Sequence, residues 1–185
     1  MKKIFAMAVA LIAAVTVNAQ SLTDNYQKIY AGFETLNVFD SSADALKGFN
    51  VGYAYGINLT GHNQPLFLEV GAEYSFLSYD VDILKEKDHS LLVPLHVTWK
   101  FGNEKFAVAP FAGESLQFHL SHTMNDVSIF DGEGAHRFQA TFDLGVNFVI
   151  SSHLELGYRY QLSEMKFVDN NNNDYRNNFT IGYIF

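Results

Sequence analysis

Apolar and polar residues alternate along eight stretches of this chain. The clearest is Gly48 to Leu59. Phe49, Val51, Tyr53, Tyr55, Ile57 and Leu59 share one face, and Gly48, Asn50, Gly52, Ala54, Gly56 and Asn58 share the other. Period two predicts a strand. About a dozen such residues reach across a bilayer, where a tilted strand needs roughly 9–11. The stretches 66–76, 91–101, 138–150, 154–162 and 178–185 repeat the pattern. Two others are weaker. In 26–38, Glu34 should face inward with Tyr30 and Gly32, but Thr35 and Asn37 then fall on the apolar side. In 106–120, Glu114 interrupts the apolar set, and a bulge there would restore the register. Pro94 and Pro110 each remove a ladder donor and predict bulges or local loss of pairing.

Long and short connections alternate between these strands. Long loops are expected near 39–47, 79–89, 121–135 and 164–176, and short turns near 60–65, 102–105 and 151–153. That asymmetry is a property of outer-membrane barrels. Tyr26, Trp99, Phe101, Tyr183 and Phe185 fall toward the turn side, and Tyr79, Tyr160 and Tyr175 toward the loop side, as two interfacial girdles would. The fold class this predicts is all-β, an eight-stranded antiparallel up-and-down transmembrane β-barrel. Closure is required, because lipid cannot satisfy an open sheet edge.

Residues 1–19 are read as a cleaved secretory signal peptide. Lys2 and Lys3 precede an apolar run from Ile4 to Val15, and Val17-Asn18-Ala19 offers small residues before a cleavage point. The barrel would then occupy residues 20–185. Without Lys2 and Lys3, 10 of the 12 basic residues remain against 20 acidic ones, a net charge near −10. Nucleic acid, which needs basic patches, is excluded as a partner. The chain has no cysteine, which rules out disulfides and thiol chemistry.

Alternation alone does not say which face is outside, since a soluble periplasmic calyx for a hydrophobic ligand uses the same period with the apolar face inward. Large residues at almost every apolar site would overfill a small interior, whereas the glycine-rich polar face suits a narrow lumen. At this point the chain resembles the small eight-stranded outer-membrane barrels of the OmpX and OmpA type. It is closer to the Bacteroidetes outer membrane protein beta-barrel domain family. The carrying residues are Leu92-Val93-Pro94-Leu95-His96-Val97-Thr98-Trp99-Lys100-Phe101 and Val108-Ala109-Pro110-Phe111-Ala112-Gly113, a proline-bearing strand followed by one with P-[YF]-x-G. The resemblance implies an outer-membrane location, contact with lipid and lipopolysaccharide, and assembly by the barrel-assembly machinery. Tyr183 and Phe185 would serve as the assembly signal. It implies a monomer and no activity in particular.

Candidate chemistry is sparse. Glu34, Glu69, Glu73, His96, Lys100, Arg137, Asp143, Glu155 and Arg159 fall on the polar faces and are expected to form a charge network that plugs the lumen, since buried charges must be paired. Pairing about a hairpin centred near Leu84 would set Glu69 near Lys100 and Glu73 near His96, and Asp143 should lie diagonal to Arg159. A narrow pore is the functional alternative. His119-Leu120-Ser121, with Glu133 as a later acid, is similar to the arrangement in lipid A deacylases, and histidine could activate serine there. Alternation turns His119 into the lumen, away from lipid. Met124, Val127, Ile129 and Phe130 make the third long loop apolar, the best candidate contact surface for an extracellular partner. The remaining histidines, His122 among them, show no metal-ligand spacing. The acidic run 169–174 lacks the glycine and glutamate of a calcium loop. No catalytic residue, metal or cofactor is expected.

Overall fold

The computed structural model describes residues 22–38, 45–61, 63–81, 84–131, 136–163 and 174–185. Eight long strands follow in chain order: β1 Tyr26–Val38, β2 Leu46–Asn58, β3 Leu66–Val81, β4 Leu84–Trp99, β5 Phe106–Met124, β6 Phe138–Ile150, β7 Leu154–Ser163 and β8 Asp174–Ile184. After Lys100, β4 resumes as Phe101–Asn103. Each strand pairs antiparallel with its chain neighbours, and β1 also pairs with β8, so the sheet has no edge. Gln27 and Phe185 complete the seam with two backbone hydrogen bonds of 3.1 and 2.9 Å. The expected signal peptide lies outside the described residues, as do most of the loops near 39–47 and 164–176.

The apolar face is outside. Tyr53 and Phe142 are 43% and 39% exposed, whereas Glu73 and Arg159 are 1% and 6% exposed within the wall. A soluble calyx would reverse these values. Among the described residues no helix is long and apolar enough to cross a membrane. Small inner residues let the wall close over large ones. Tyr30 pairs with Gly52 and Tyr26 with Gly56, and a Cβ on either glycine would sit 2.4 Å from the ring opposite. Tyr26 therefore belongs to the interior and not to the turn-side girdle. It packs with Phe67, Ala107, Val149 and Ile184 into an apolar floor at that end. The parity of β1 is set by Glu34, which is fully buried.

Both prolines interrupt pairing without shifting register. The β3–β4 ladder breaks between Val70–Leu95 and Glu73–Leu92, around Pro94. Pairing to β5 lapses between Thr98–Phe111 and Phe101–Val108, around Pro110. The bulge in β5 is elsewhere. His89 pairs with Ser121 and Ser90 with His119, which leaves Leu120 as the extra residue. Glu114 is consequently not rescued: it is exposed on the lipid-facing side between Leu95 and Phe142.

The loop expected at 79–89 is also corrected. β3 and β4 continue pairing up to Val81–Leu84, so the hairpin is centred two residues earlier than Leu84. Residues 85–90 keep the period-two rhythm with polar side chains, enough to extend the ribbon beyond the apolar band. The third long loop begins as a tight hairpin. Asn125 and Asp126 have φ of 50° and 64°, and Val127–Ser128 folds back on Thr123–Met124.

Candidate functional site

The interior is a column of paired charges. Nearest the turn side, the Lys28 ammonium lies 2.8 Å from both Glu69 and Glu155. The Tyr26 hydroxyl donates to Glu69. Lys100 sits over the Tyr26 ring, 3.4 Å from its centroid, and 4.7 Å from that of Phe67. A buried ammonium on an aromatic face keeps electrostatic compensation that water would otherwise supply.

At mid-height, Arg159 Nη2 contacts Glu73 Oε1 at 2.5 Å, and the Tyr30 hydroxyl donates to Glu73 Oε2 at 2.8 Å. His96 Nε2 lies 2.8 Å from Asp143 Oδ2, which also accepts from Ser115 at 2.5 Å, while Gln161 donates to Oδ1 at 3.1 Å. Arg159 is opposite Gly145, and Asp143 opposite Gln161. Between these groups a void of about 30 Å³ remains, bordered by Lys28, Tyr30, Glu69, His96, Glu155 and Arg159.

Higher still, Glu34 accepts from Ser75, and Arg176 reaches Ser75 Oγ at 3.3 Å and Asp88 Oδ2 at 3.7 Å. Asp88 then contacts two histidines, His119 Nδ1 at 2.7 Å and His122 Nδ1 at 3.5 Å. This cluster stands above the outward apolar run, which ends at Leu91 on β4 and Leu120 on β5. Burial would raise Asp88, but hydrogen bonds from both histidines hold it well below the usual carboxylate range. Burial would lower His122, but hydrogen bonds to Asp88 and Glu86 raise it to about 9. Asp174 at the same rim is pushed up to about 6 by burial, against the pull of Arg176.

Several expected roles change. Glu69 is paired across the ladder with His96 and Glu73 with Leu92, four residues from the anticipated partners, because the hairpin tip is earlier. Arg137 is exposed and outside the network. Its guanidinium lies 4.2 Å from the Phe130 ring centroid and donates to the Leu120 carbonyl. Phe130 in turn packs against His119 and His122, with centroids 6.3 and 6.5 Å away, so it faces the interior, while Met124 and Val127 are exposed. Ile129 is half-buried. Tyr183 stacks on His153, and Phe185 is exposed on the outer face. Lys28, Arg176, Asp88 and His122 were not expected in the lumen. For Lys28 the inward parity of β1 was the available signal. For His122 no local pattern could have served, since only the bulge turns it inward.

His119 and Ser121 do not meet. His119 is buried with Nδ1 on Asp88 and Nε2 3.0 Å from Gln139 Oε1, while Ser121 is exposed on the outside, across from His89. Glu133 lies outside the described residues. A serine outside the wall and a histidine inside it cannot exchange a proton.

A charged interior, a lipid-facing apolar wall and closure between first and last strands are now in place. The sequence matches the family model of the outer membrane protein beta-barrel domain over residues 5–185. The chain belongs to this family. No curated protein sequence matches it. Among solved structures, the outer-membrane enzyme PagL is similar with a TM-score of 0.59 at 9% identity, over 86% of this chain and 98% of PagL. Neisserial surface protein A aligns with a TM-score of 0.56 at 16% identity, over 86% and 95% of the two chains. Ail, the attachment invasion locus protein of Yersinia pestis, solved with the heparin analogue sucrose octasulfate, gives 0.54 at 14% identity, over 88% and 99%. At these identities the likeness is one of fold. The outer-membrane barrel places this family member in the outer membrane.

Proposed function

We propose that this barrel neither conducts nor catalyses, and that it works through the surface at its loop side. The carrying observation is the column from Lys28–Glu69–Glu155 through Glu73–Arg159 to His96–Asp143, standing on the apolar floor of Tyr26 and Phe67. An eight-stranded barrel is just wide enough for side chains to fill. Opening a path would separate buried opposite charges, which costs several kcal/mol per pair. The lumen is thus plugged by its own residues.

What remains available is the outside. The β3–β4 ribbon and the Met124–Val127 hairpin stand above the apolar band, and Val127 is 66% exposed. Ail's ligand is a sulfated polyanion. Here the loop segments are rich in Asp and Glu (Asp80, Glu86, Asp126, Asp131, Glu133, Asp169), so the fitting partner is cationic, or anionic and bridged by divalent ions as lipopolysaccharide phosphates are. In this reading the chain is exported by its first 19 residues and assembled as a monomer by the barrel-assembly machinery. Tyr183 and Phe185 act as the signal, with the turns in the periplasm. The lipid A-modifying alternative loses its Ser–His pair, as described above.

Solute flux tests the plug. Proteoliposomes carrying the refolded barrel should not swell in an isosmotic small-sugar solution beyond protein-free vesicles. Swelling at porin-like rates would show the lumen to be a pore.

A further inference from the structure

The bulge at Leu120 has a chemical result. On a regular strand, residues three apart point to opposite faces. The extra residue turns both His119 and His122 inward, where Asp88 of β4 pairs directly with His122. All three are buried, and their nearest ligand atoms lie within 4.8 Å of one another. Bulges commonly re-aim side chains next to functional sites.

We infer that Asp88, His119 and His122 form a binding site for a divalent transition metal of the zinc type at the loop-side mouth of the lumen. Two imidazole nitrogens and a carboxylate oxygen suit zinc, and ligand atoms held at about 2.0–2.2 Å from one ion stand roughly 3–3.5 Å apart. Asp88 Oδ1 is 2.7 Å from His119 Nδ1 and 3.5 Å from His122 Nδ1, so little movement is required.

The outer contacts agree. His122 Nε2 is 2.7 Å from Glu86 Oε1, and His119 Nε2 is 3.0 Å from Gln139 Oε1. Each histidine can therefore give its Nε2 proton to an oxygen and offer the Nδ1 lone pair to the metal, the arrangement that orients metal-bound histidine. Gln117 Nε2 also lies 3.2 Å from His119 Nε2, and it has Ser90 Oγ as an acceptor at 3.0 Å. Arg176, 3.7 Å from Asp88 Oδ2, opposes a cation, but Glu86 and Asp88 together outweigh its charge. Nitrogen ligands select zinc, nickel or copper over calcium and magnesium. The fourth position is left for water or a group from outside. Bound there, the ion would clamp β4 to β5 under Phe130, which restrains the ribbon that the proposed function assigns to contact.

The test uses the full refolded barrel in detergent micelles after chelator treatment. Titration with zinc chloride should show one saturable site per chain that calcium chloride does not fill. Zinc should raise the thermal midpoint, and EDTA should reverse the rise. His119→Gln and His122→Gln should each abolish saturable binding, while His153→Gln, at the opposite end, leaves it unchanged. Heat-modifiable gel migration reports whether each variant is folded. If one is not, nitrogen-15 histidine spectra of the wild-type protein decide, since zinc should shift His119 and His122 at Nδ1. Zinc binding equal in wild type and in a folded double variant, no saturable site, or spectral shifts confined to other histidines would overturn the site.

Discussion

Arg159 of β7 and Glu73 of β3 meet across the lumen at 2.5 Å, although 86 residues separate them in sequence. Neither strand pairs with the other; the wall brings them together by curving. Glu73 is also held by the Tyr30 hydroxyl, and Asn50 donates to it at 3.3 Å. Removing one partner leaves a charge buried with no neutralising neighbour. Arg159→Met should therefore destabilise the barrel by about 3–5 kcal/mol, and Glu73→Gln added to it should recover part of the loss. Urea titration in lipid vesicles, followed by heat-modifiable migration, measures both. A double-variant loss equal to the sum of the Arg159→Met and Glu73→Gln losses would mean that the pair is not coupled.

Glu114 is the reverse case, a carboxylate on the lipid face with Leu116 and Phe118 toward the loops and Ala112 and Val108 toward the turns. Arg or Lys at a lipid-facing midplane site costs about 2–4 kcal/mol, and Glu less. Glu114→Leu is expected to stabilise the barrel by about 1–2 kcal/mol in the same assay.

Gly52 carries the Tyr30 ring against it, and a Cβ there would lie 2.4 Å from that ring. Gly52→Ala should push Tyr30 away from Glu73 and destabilise by roughly 1–3 kcal/mol, the usual result of overpacking. Ala54→Gly on the same face meets no such contact and serves as a control for strand glycine content.

The β6–β7 turn holds Ser151 and Ser152 at φ of 51° and 61°. Left-handed backbone costs an ordinary L-residue about 1–2 kcal/mol, and asparagine tolerates it better. Ser151→Asn should raise stability by about 0.5–1 kcal/mol. Ser152 is best left in place, because its hydroxyl donates to the Glu104 carbonyl at 2.9 Å.

The fold was legible because alternation is local and was reinforced on strand after strand. Residues 48–59 and 138–148 show it without a break. The inward direction of Glu34, Glu69, Glu73, Asp143 and Arg159 follows from the same parity. Their partners were less legible, because partner choice depends on hairpin register. A two-residue error in placing the β3–β4 tip moved both pairs expected across it by four, whereas Asp143 does lie diagonal to Arg159. The polar ribbon 85–90 looked like loop because its outer face meets water, not lipid. The Asp88–His119–His122 cluster was hidden for a different reason. A bulge breaks parity, and nothing local to Leu120 marks one.

In the proposed function the wall encloses a plug made of its own charges. Single-channel recording in planar bilayers tests it most directly. The wild-type barrel should stay at the baseline of the bare membrane, and the folded Glu73→Ala/Arg159→Ala variant, with both mid-lumen side chains shortened, should leak. A steady, large conductance from the wild-type protein would show the lumen to be open.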